Sequence, residues 1–346
     1  MRSPALSLLA RRAFFLGLLL GVDAQSQGEL TPQQQVATIS MGITRAKDGS
    51  TILDTAVPIN GLQIRFRVRG PAAMFTTTSG VVGGTQAPGS TGSMGLNVLL
   101  HGDGGKSFIA FPNQIVQDGL MGVVVLAPSE QLLWGQHKGP PGGLSRPDGV
   151  VDAQAVRDLV AEVLPHYVAF DPQHVFFTGV SGGSLLLSGF FMPAHMADFG
   201  GPGSGVLLLC GGMQPQVPVA GATAWAASTR IHHQSSQREL SLLQPSIPQA
   251  VRAYEALARQ QGLNATAVGA LQTVDNTPAG GHCVFDGITY NSGIQLFMDH
   301  FADVMQGGNG SVPGIDTPSV LKTVVGNEDL RFAGATKSRQ SVSFEA

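Results

Sequence analysis

A serine flanked by glycines is the part of this sequence best suited to covalent chemistry. It lies in Gly179-Val180-Ser181-Gly182-Gly183, which follows a β-branched and aromatic run and precedes an apolar segment of small residues. This Gly-x-Ser-x-Gly spacing is typical of a sharp strand-to-helix turn that exposes a nucleophilic hydroxyl. The glycines leave room for the neighbouring strand and helix, and the helix N-terminus favours developing negative charge. The alternative is an ordinary glycine-rich turn, since the chain contains 46 glycines.

A serine hydroxyl needs a base to become reactive, and the base needs an acid to orient it. On a strand–turn–helix scaffold the chain order is serine, acid, histidine. His282 lies in a glycine-rich loop between a predicted strand and the last predicted helix, from which an imidazole can reach the serine. The other histidines after Ser181 lie in or beside predicted helices and strands, where packing explains them. We therefore predict His282 as the base.

The candidates for the acid are the carboxylates between Cys210 and His282. They are Glu239, Glu255 and Asp275. Glu255 lies in the middle of a predicted helix, where a solvated charge is the ordinary explanation. Glu239 follows a predicted strand, the usual position for the acid, whereas Asp275 follows the last strand close to His282. We favour Glu239 and keep Asp275 as the alternative; a surface carboxylate remains an explanation for either residue.

A second glycine-rich loop follows an early apolar strand, at His101-Gly102-Asp103-Gly104-Gly105. Backbone N–H groups in such a loop can face the oxyanion of a tetrahedral intermediate. We predict that Asp103 or Gly104 supplies one donor and Gly182 the other. A phosphate-binding loop is the alternative, but the segment lacks the Lys-Ser/Thr ending of a P-loop.

Short apolar strands alternate with helices along most of the chain. Strands are predicted at 62–68, 96–100, 122–127, 175–179, 205–210, 229–234 and 269–274, and helices at 152–167, 184–191, 248–262 and 294–305. This alternation predicts an α/β fold, a mostly parallel sheet with helices on both faces. Ligands bind beyond the carboxyl ends of such strands. Because the candidate residues all follow strands, we expect them to gather at one edge.

The composition excludes some classes of function. Of 346 residues only 12% are charged, the net charge is −3, and no run of like charges occurs, so neither nucleic-acid nor anionic-membrane binding is expected. A signal peptide is predicted at 1–24, because basic residues precede an apolar stretch at 13–22 and the small-x-small sequence Val22-Asp23-Ala24 follows. A single domain is predicted at 25–306, followed by an irregular tail at 307–346.

Further features fit a secretory route. Asn264 and Asn309 begin glycosylation sequons. The two cysteines, Cys210 and Cys283, are compatible with one disulfide, which would contribute roughly 4 kcal/mol in the chain-entropy model; two free thiols are the alternative. The cysteines and histidines lack metal-ligand spacing, so neither a metal nor a cofactor is predicted.

Taken together, the motifs resemble those of α/β-hydrolases, and more narrowly those of secreted polyhydroxybutyrate-depolymerase-like, feruloyl and acetylxylan esterases. The resemblance covers about residues 96–300. The matching segments are 99–105, 125–128, the loop around Trp134, 171–183 and 280–283. Two departures stand out. Before the serine, Val180 stands where relatives often carry a large residue, and after it Gly182 stands where they often carry Asn or Gln. The acid position holds Glu239, where Asp is usual.

The resemblance implies serine ester hydrolysis, with Ser181 as the nucleophile and His282 as the base. The expected substrate is a small-molecule ester or the ester groups of a polysaccharide or polyester, and the expected protein is a secreted monomer. Two other functions remain open at this point. One is a non-catalytic secreted binding protein on a hydrolase scaffold, because fold does not fix function. The other is a serine peptidase.

Overall fold

The fold is described from a computed structural model, which covers residues 30–110, 119–137, 143–220 and 223–333. The predicted signal peptide lies outside the described residues. The strands are β1 (Gly42–Arg45), β2 (Thr51–Ile59), β3 (Leu62–Gly70), β4 (Gly95–Leu100), β5 (Leu120–Val125), β6 (Val175–Val180), β7 (Gly205–Leu209), β8 (Arg230–Gln234), β9 (Gln272–Asp275) and β10 (Lys322–Thr323).

The α-helices are α1 (Pro32–Thr38), α2 (Gly149–Asp158), α3 (Gly182–Leu186), α4 (Met192–His195), α5 (Leu243–Gln260), α6 (Ala265–Leu271), α7 (Tyr290–Asp299) and α8 (Phe301–Met305). Two π-helical turns, at Leu159–Val163 and Leu187–Phe191, continue α2 and α3. Short 3₁₀ turns lie at Ala72–Met74, Leu164–His166, Met196–Asp198 and Thr223–Ala227.

All ten strands form one sheet in the order β1-β2-β3-β5-β4-β6-β7-β8-β9-β10. From β5 to β9 every neighbouring pair is parallel. The flanking strands run antiparallel: β1 to β2, β2 to β3, β3 to β5, and β10 to β9. The parallel centre puts the carboxyl ends of β4, β6, β7, β8 and β9 at the same edge, as the sequence predicts.

Alternate residues of the central strands pack into two separate cores, because successive side chains of a strand point to opposite faces. Val98 of β4 belongs to the core that contains Val156 of α2 and Leu185 of α3. Its neighbour Leu99 belongs to the other core, with Phe297 of α7. Helices therefore cover both faces of the sheet, and the predicted α/β fold class is confirmed.

Local structure departs from the predictions in several places, of which two are instructive. Strand β2 was not expected, although it pairs along its whole length with the predicted β3. The predicted strand at 269–274 is wrong in its first half, because Ala265–Leu271 is helix α6 and the strand starts at Gln272. Asn264 caps this helix, since its side chain accepts a hydrogen bond from the Ala267 N–H.

The chain beyond α8 stays packed on the domain as far as it is described. Val312 and Val320 are buried in the core of α7 and α8. Strand β10 pairs with β9, and Val324 is buried beside Val251 of α5. Most of residues 307–333 is nevertheless irregular.

Candidate active site

The turn between β6 and α3 holds Ser181 in a conformation that few non-glycine residues adopt, with φ 51° and ψ −110°. Its two flanking glycines are required by space. A Cβ on Gly179 would lie 2.6 Å from the Cα and N of Ser184, and a Cβ on Gly183 would lie 2.2 Å from the Leu100 carbonyl oxygen. Backbone strain of this kind clusters at functional sites. The turn has the geometry of a nucleophile elbow.

Three side chains that are distant in the sequence meet at this turn. His282 Nε2 lies 2.9 Å from Ser181 Oγ. The opposite ring nitrogen, Nδ1, is hydrogen-bonded to Glu239 Oε1, which also accepts the Leu240 N–H at 2.8 Å. The Glu239 side chain is fully buried, and the His282 side chain is 19% exposed. A carboxylate at Nδ1 holds the proton there, so the lone pair of Nε2 faces the Ser181 hydroxyl.

The loop that carries His282 is fastened to the sheet edge on both sides. Cys283 forms a disulfide with Cys210, the residue directly after β7, and both are fully buried. Ser236 Oγ donates a hydrogen bond of 2.7 Å to the Gly281 carbonyl. The imidazole is therefore held against the strand next to the one that carries Ser181.

Asp275, the alternative acid, makes its hydrogen bonds elsewhere. Its carboxylate accepts Gln234 Nε2 at 2.9 Å and the Thr277 hydroxyl at 2.8 Å, and Lys322 Nζ lies 3.7 Å away. These contacts join the ends of β8 and β9 to the turn after β9. The geometry brings Glu239, and not Asp275, to His282.

The predicted oxyanion loop lies across the turn from His282. The Gly104 N–H donates to the Leu132 carbonyl at 2.8 Å, so this predicted donor is already in use. The backbone N–H groups of Asp103 and Gly182 donate no hydrogen bond to a described residue. His101 fixes the start of the loop: Nδ1 donates to the Gly102 carbonyl, and Nε2 accepts the Ala127 N–H. Burial lowers the pKa of His101 to about 4, so the ring stays neutral.

The sequence gives no hint of the ion pair that holds Asp103. Arg146 Nη2 lies 2.6 Å from Asp103 Oδ2, and Arg146 Nη1 lies 3.1 Å from Oδ1. The Trp134 N–H also donates to Oδ1, at 3.3 Å. This carboxylate occupies the space beside Gly182, because a Cβ on Gly182 would lie 2.0 Å from Asp103 Oδ1. Glycine at this position therefore leaves room for the Asp103 side chain.

The remaining candidate residues fit no metal site. Within the described part of the chain, Cys210, His282 and Cys283 are the one group whose ligand atoms lie close together, within 4.8 Å. Both sulfurs are in the disulfide, and a disulfide is not the thiolate that metals bind. His232 and His233 are buried in β8, where burial lowers the pKa of each to about 3.

The two predicted glycosylation sites are both exposed, as a modified asparagine must be. Asn264 Oδ1 is used in the cap of α6, and Asn309 Oδ1 accepts the Ser311 N–H at 2.9 Å. Within the described residues, every helix is too short or too polar to cross a lipid bilayer.

Comparison with known proteins finds similar solved structures but no matching sequence family. No protein-family model matches the chain, and no curated protein sequence matches it. A mutant feruloyl esterase module from Clostridium thermocellum is 12% identical over 74% of this chain and 88% of its own, with a TM-score of 0.44. A thermostable carboxyl esterase from Bacillus coagulans is 12% identical over 75% of this chain and 99% of its own, with a TM-score of 0.42.

A third similar structure, a thermostable esterase, is 12% identical over 69% of this chain, with a TM-score of 0.41. The match spans 57% of that esterase's length. The fold assignment rests on two features of the chain itself, the strand order of its sheet and the strained serine turn at the carboxyl end of β6. By these features the chain has the fold of the α/β-hydrolase superfamily.

Proposed function

We propose that this protein is a serine hydrolase of carboxylic esters that works through an acyl-enzyme. The observation that carries the proposal is the position of His282, whose two ring nitrogens contact the Ser181 hydroxyl and the buried Glu239 carboxylate. A serine is activated when its hydroxyl contacts a base and that base contacts an orienting acid.

In the first half-reaction, Ser181 Oγ forms a bond to the ester carbonyl carbon while its proton moves to His282 Nε2. The carbonyl π electrons move to the oxygen, and the resulting oxyanion accepts hydrogen bonds from the N–H groups of Asp103 and Gly182. Glu239 stabilises the imidazolium that forms. The bond to the alcohol oxygen then breaks, and His282 gives its proton to the departing alcohol. The product left on the protein is an acyl ester of Ser181.

In the second half-reaction, water repeats these steps in the place of the alcohol. His282 Nε2 takes a proton from the water as its oxygen bonds to the acyl carbon. The second oxyanion collapses, the bond to Ser181 Oγ breaks, and the proton on His282 returns to Ser181. The carboxylic acid leaves, and the protein regains its starting state.

We also propose a cellular location and a class of substrate. We assign the chain to the secretory route, with a leader at 1–24, glycans at Asn264 and Asn309, and the Cys210–Cys283 disulfide. Disulfides persist in oxidising compartments, and sequons are modified there. The proposed substrates are small-molecule esters or the ester groups of a polysaccharide or polyester, hydrolysed by a monomer.

The test is the hydrolysis of p-nitrophenyl acetate by the wild-type protein and the Ser181→Ala variant. Removing the nucleophile is expected to lower kcat by roughly 10⁶-fold. Circular dichroism checks that the variant is folded. Ser90→Ala is the matched control, because the Ser90 hydroxyl only donates to the Ala87 carbonyl in a loop; its kcat should match the wild type.

A fluorophosphonate probe gives an independent answer, because it bonds covalently to an activated serine. We expect it to label the wild-type protein and the Ser90→Ala control, and to leave Ser181→Ala unlabelled. A folded wild-type protein that is never labelled would show a binding protein on a hydrolase scaffold. Turnover of casein without turnover of esters would show a peptidase.

A further inference from the structure

Tyr290 is the first residue of α7, and it reaches across the site to the oxyanion loop. A capping box between Thr289 and Ser292 fixes the start of the helix and so the position of Tyr290. A Cβ on Gly102 would lie 2.1 Å from Tyr290 Oη and 3.6 Å from Ser181 Cβ. The phenol oxygen is therefore in contact with the backbone at Gly102, directly before Asp103, and close to the nucleophile.

The surroundings of Tyr290 keep its hydroxyl protonated. Burial raises the pKa of the phenol, a contact with Ser107 opposes it, and the negative charges of Asp103 and Glu239 act in the same direction as burial. Ser107 Oγ is buried and forms no hydrogen bond of ordinary geometry with a described residue. The phenol is therefore an O–H donor that the described residues do not fully use. Buried polar groups of this kind are normally hydrogen-bonded.

The aromatic ring lies between the base and a cation. Its centroid is 6.1 Å from that of the His282 ring. The Lys106 ammonium lies 4.1 Å from the same centroid, within cation–π range. A cation over the ring draws electron density away from the phenol oxygen, which makes its O–H a stronger donor. The ring is thus held between Lys106 and His282, with its hydroxyl beside Gly102.

We propose that Tyr290 is a catalytic residue, and that its hydroxyl donates a third hydrogen bond to the oxyanion formed at Ser181. This inference rests on the ester hydrolysis proposed above. The backbone supplies two donors here, from Asp103 and Gly182, because the Gly104 N–H is bonded to Leu132. The Asp103 carboxylate lies against Gly182 and is paired with Arg146. A neutral donor from α7 adds to the two backbone donors without adding a charge beside this ion pair.

The test is Tyr290→Phe, which keeps the ring and removes only the hydroxyl. Losing one oxyanion donor typically lowers kcat by about 10²–10³-fold, and we expect a loss in this range with KM little changed. Tyr167→Phe is the matched control, because the Tyr167 ring packs edge-on against Phe66, away from the site. That control should keep the wild-type kcat, and equal thermal midpoints would show that both variants are folded.

Two further measurements separate a catalytic role from a structural one. A trifluoromethyl ketone forms a tetrahedral adduct with the serine, so Tyr290→Phe should bind it more weakly by the same factor as kcat falls. The loss of kcat should also be equal for p-nitrophenyl and ethyl esters. A loss confined to ethyl esters would assign the hydroxyl to the departing alcohol and overturn the proposal.

The same measurements distinguish an idle Tyr290 hydroxyl from a protein that does not hydrolyse esters. If the wild-type protein hydrolyses esters and Ser181→Ala does not, while Tyr290→Phe keeps its kcat within about threefold, then Tyr290 is not an oxyanion donor; a lost donor would cost far more. If the wild-type protein neither hydrolyses esters nor reacts with the fluorophosphonate probe, then ester hydrolysis itself is wrong.

Discussion

The two loops that complete the candidate site are held in place by different means. The histidine loop, residues 278–286, is joined to the end of β7 by the buried Cys210–Cys283 disulfide. The oxyanion loop, residues 101–107, is held by the Asp103–Arg146 ion pair and by the two hydrogen bonds of the His101 ring. One loop is secured covalently, and the other by charge and hydrogen bonding.

The difference matters because, in the reaction proposed above, negative charge develops at the oxyanion loop. The disulfide is uncharged and does not interact strongly with that charge, whereas the charges of Asp103 and Arg146 do. The Arg146 side chain is 2% exposed and that of Asp103 is 22% exposed, so solvent screens the pair only in part. We therefore expect disruption of the histidine loop's clamp to reduce stability, and disruption of the oxyanion loop's ion pair to reduce catalysis.

The largest effect is expected where the histidine loop meets its acid. Glu239→Gln removes the charge that holds the His282 proton on Nδ1, and a similar change in a serine triad lowers kcat by about 10⁴-fold. We expect a loss of about 10³–10⁴-fold on p-nitrophenyl acetate, because the amide permits the wrong tautomer of His282.

Asp275→Asn is the matched control for that change. Both carboxylates are buried, Glu239 after the end of β8 and Asp275 at the last residue of β9, but Asp275 bonds to Gln234 and Thr277. The control should lower the urea midpoint while kcat stays within about tenfold of wild type, since one misplaced hydrogen bond costs about 1–3 kcal/mol of stability. A greater loss of kcat in Asp275→Asn than in Glu239→Gln would reassign the acid.

A smaller loss of activity is expected when the ion pair of the oxyanion loop is broken. Arg146→Met leaves the Asp103 carboxylate uncompensated beside the N–H of Gly182, where it repels the oxyanion. We expect kcat to fall on the order of 10²-fold, similar to the loss of one weaker oxyanion donor. Steady-state kinetics with p-nitrophenyl acetate measures this loss.

The double variant Asp103→Asn/Arg146→Met separates charge from packing. It removes both members of the pair and keeps an amide of similar size beside Gly182. If repulsion causes the loss, the double variant should recover about tenfold of the kcat that Arg146→Met loses, by the logic of a double-mutant cycle. A double variant as poor as Arg146→Met would show that Arg146 acts only by holding the loop.

The predictable parts of the site belong to local sequence patterns. Ser181 follows from the spacing of glycines around a strand-to-helix turn, and His282 from a glycine-rich loop before the last helix. Glu239 was preferred by its position after β8, and the structure brings it to His282. These residues could be chosen because each depends on where its own strand ends, and apolar runs mark the strand ends well.

The residues that sequence reasoning missed depend on contacts between distant segments. Arg146 pairs with a residue 43 positions away, and Tyr290 meets Gly102, which is far from it in the sequence. No local pattern requires either contact. The same limit explains α6, where the cap at Asn264 outweighs the strand-like sequence that follows.

The smallest effect on activity is expected from removing the covalent clamp. Cys210 and Cys283 are fully buried and 73 residues apart in the sequence, so the bond closes a long loop in the unfolded chain. The double variant Cys210→Ala/Cys283→Ala should lose about 4 kcal/mol of unfolding free energy, measured by urea denaturation. Its kcat below the transition should stay within about tenfold of wild type, because Glu239 and the Ser236–Gly281 hydrogen bond still position His282.

Reductant sharpens this prediction. Dithiothreitol without denaturant should leave the wild-type activity unchanged, since both sulfurs are out of contact with solvent. With urea near the midpoint, the same reductant should abolish refolding. If the double variant loses as much kcat as Glu239→Gln, then the disulfide, and not the carboxylate, aligns His282. Catalysis would then depend on the disulfide of one loop as well as on the ion pair of the other, and the contrast between the loops would disappear.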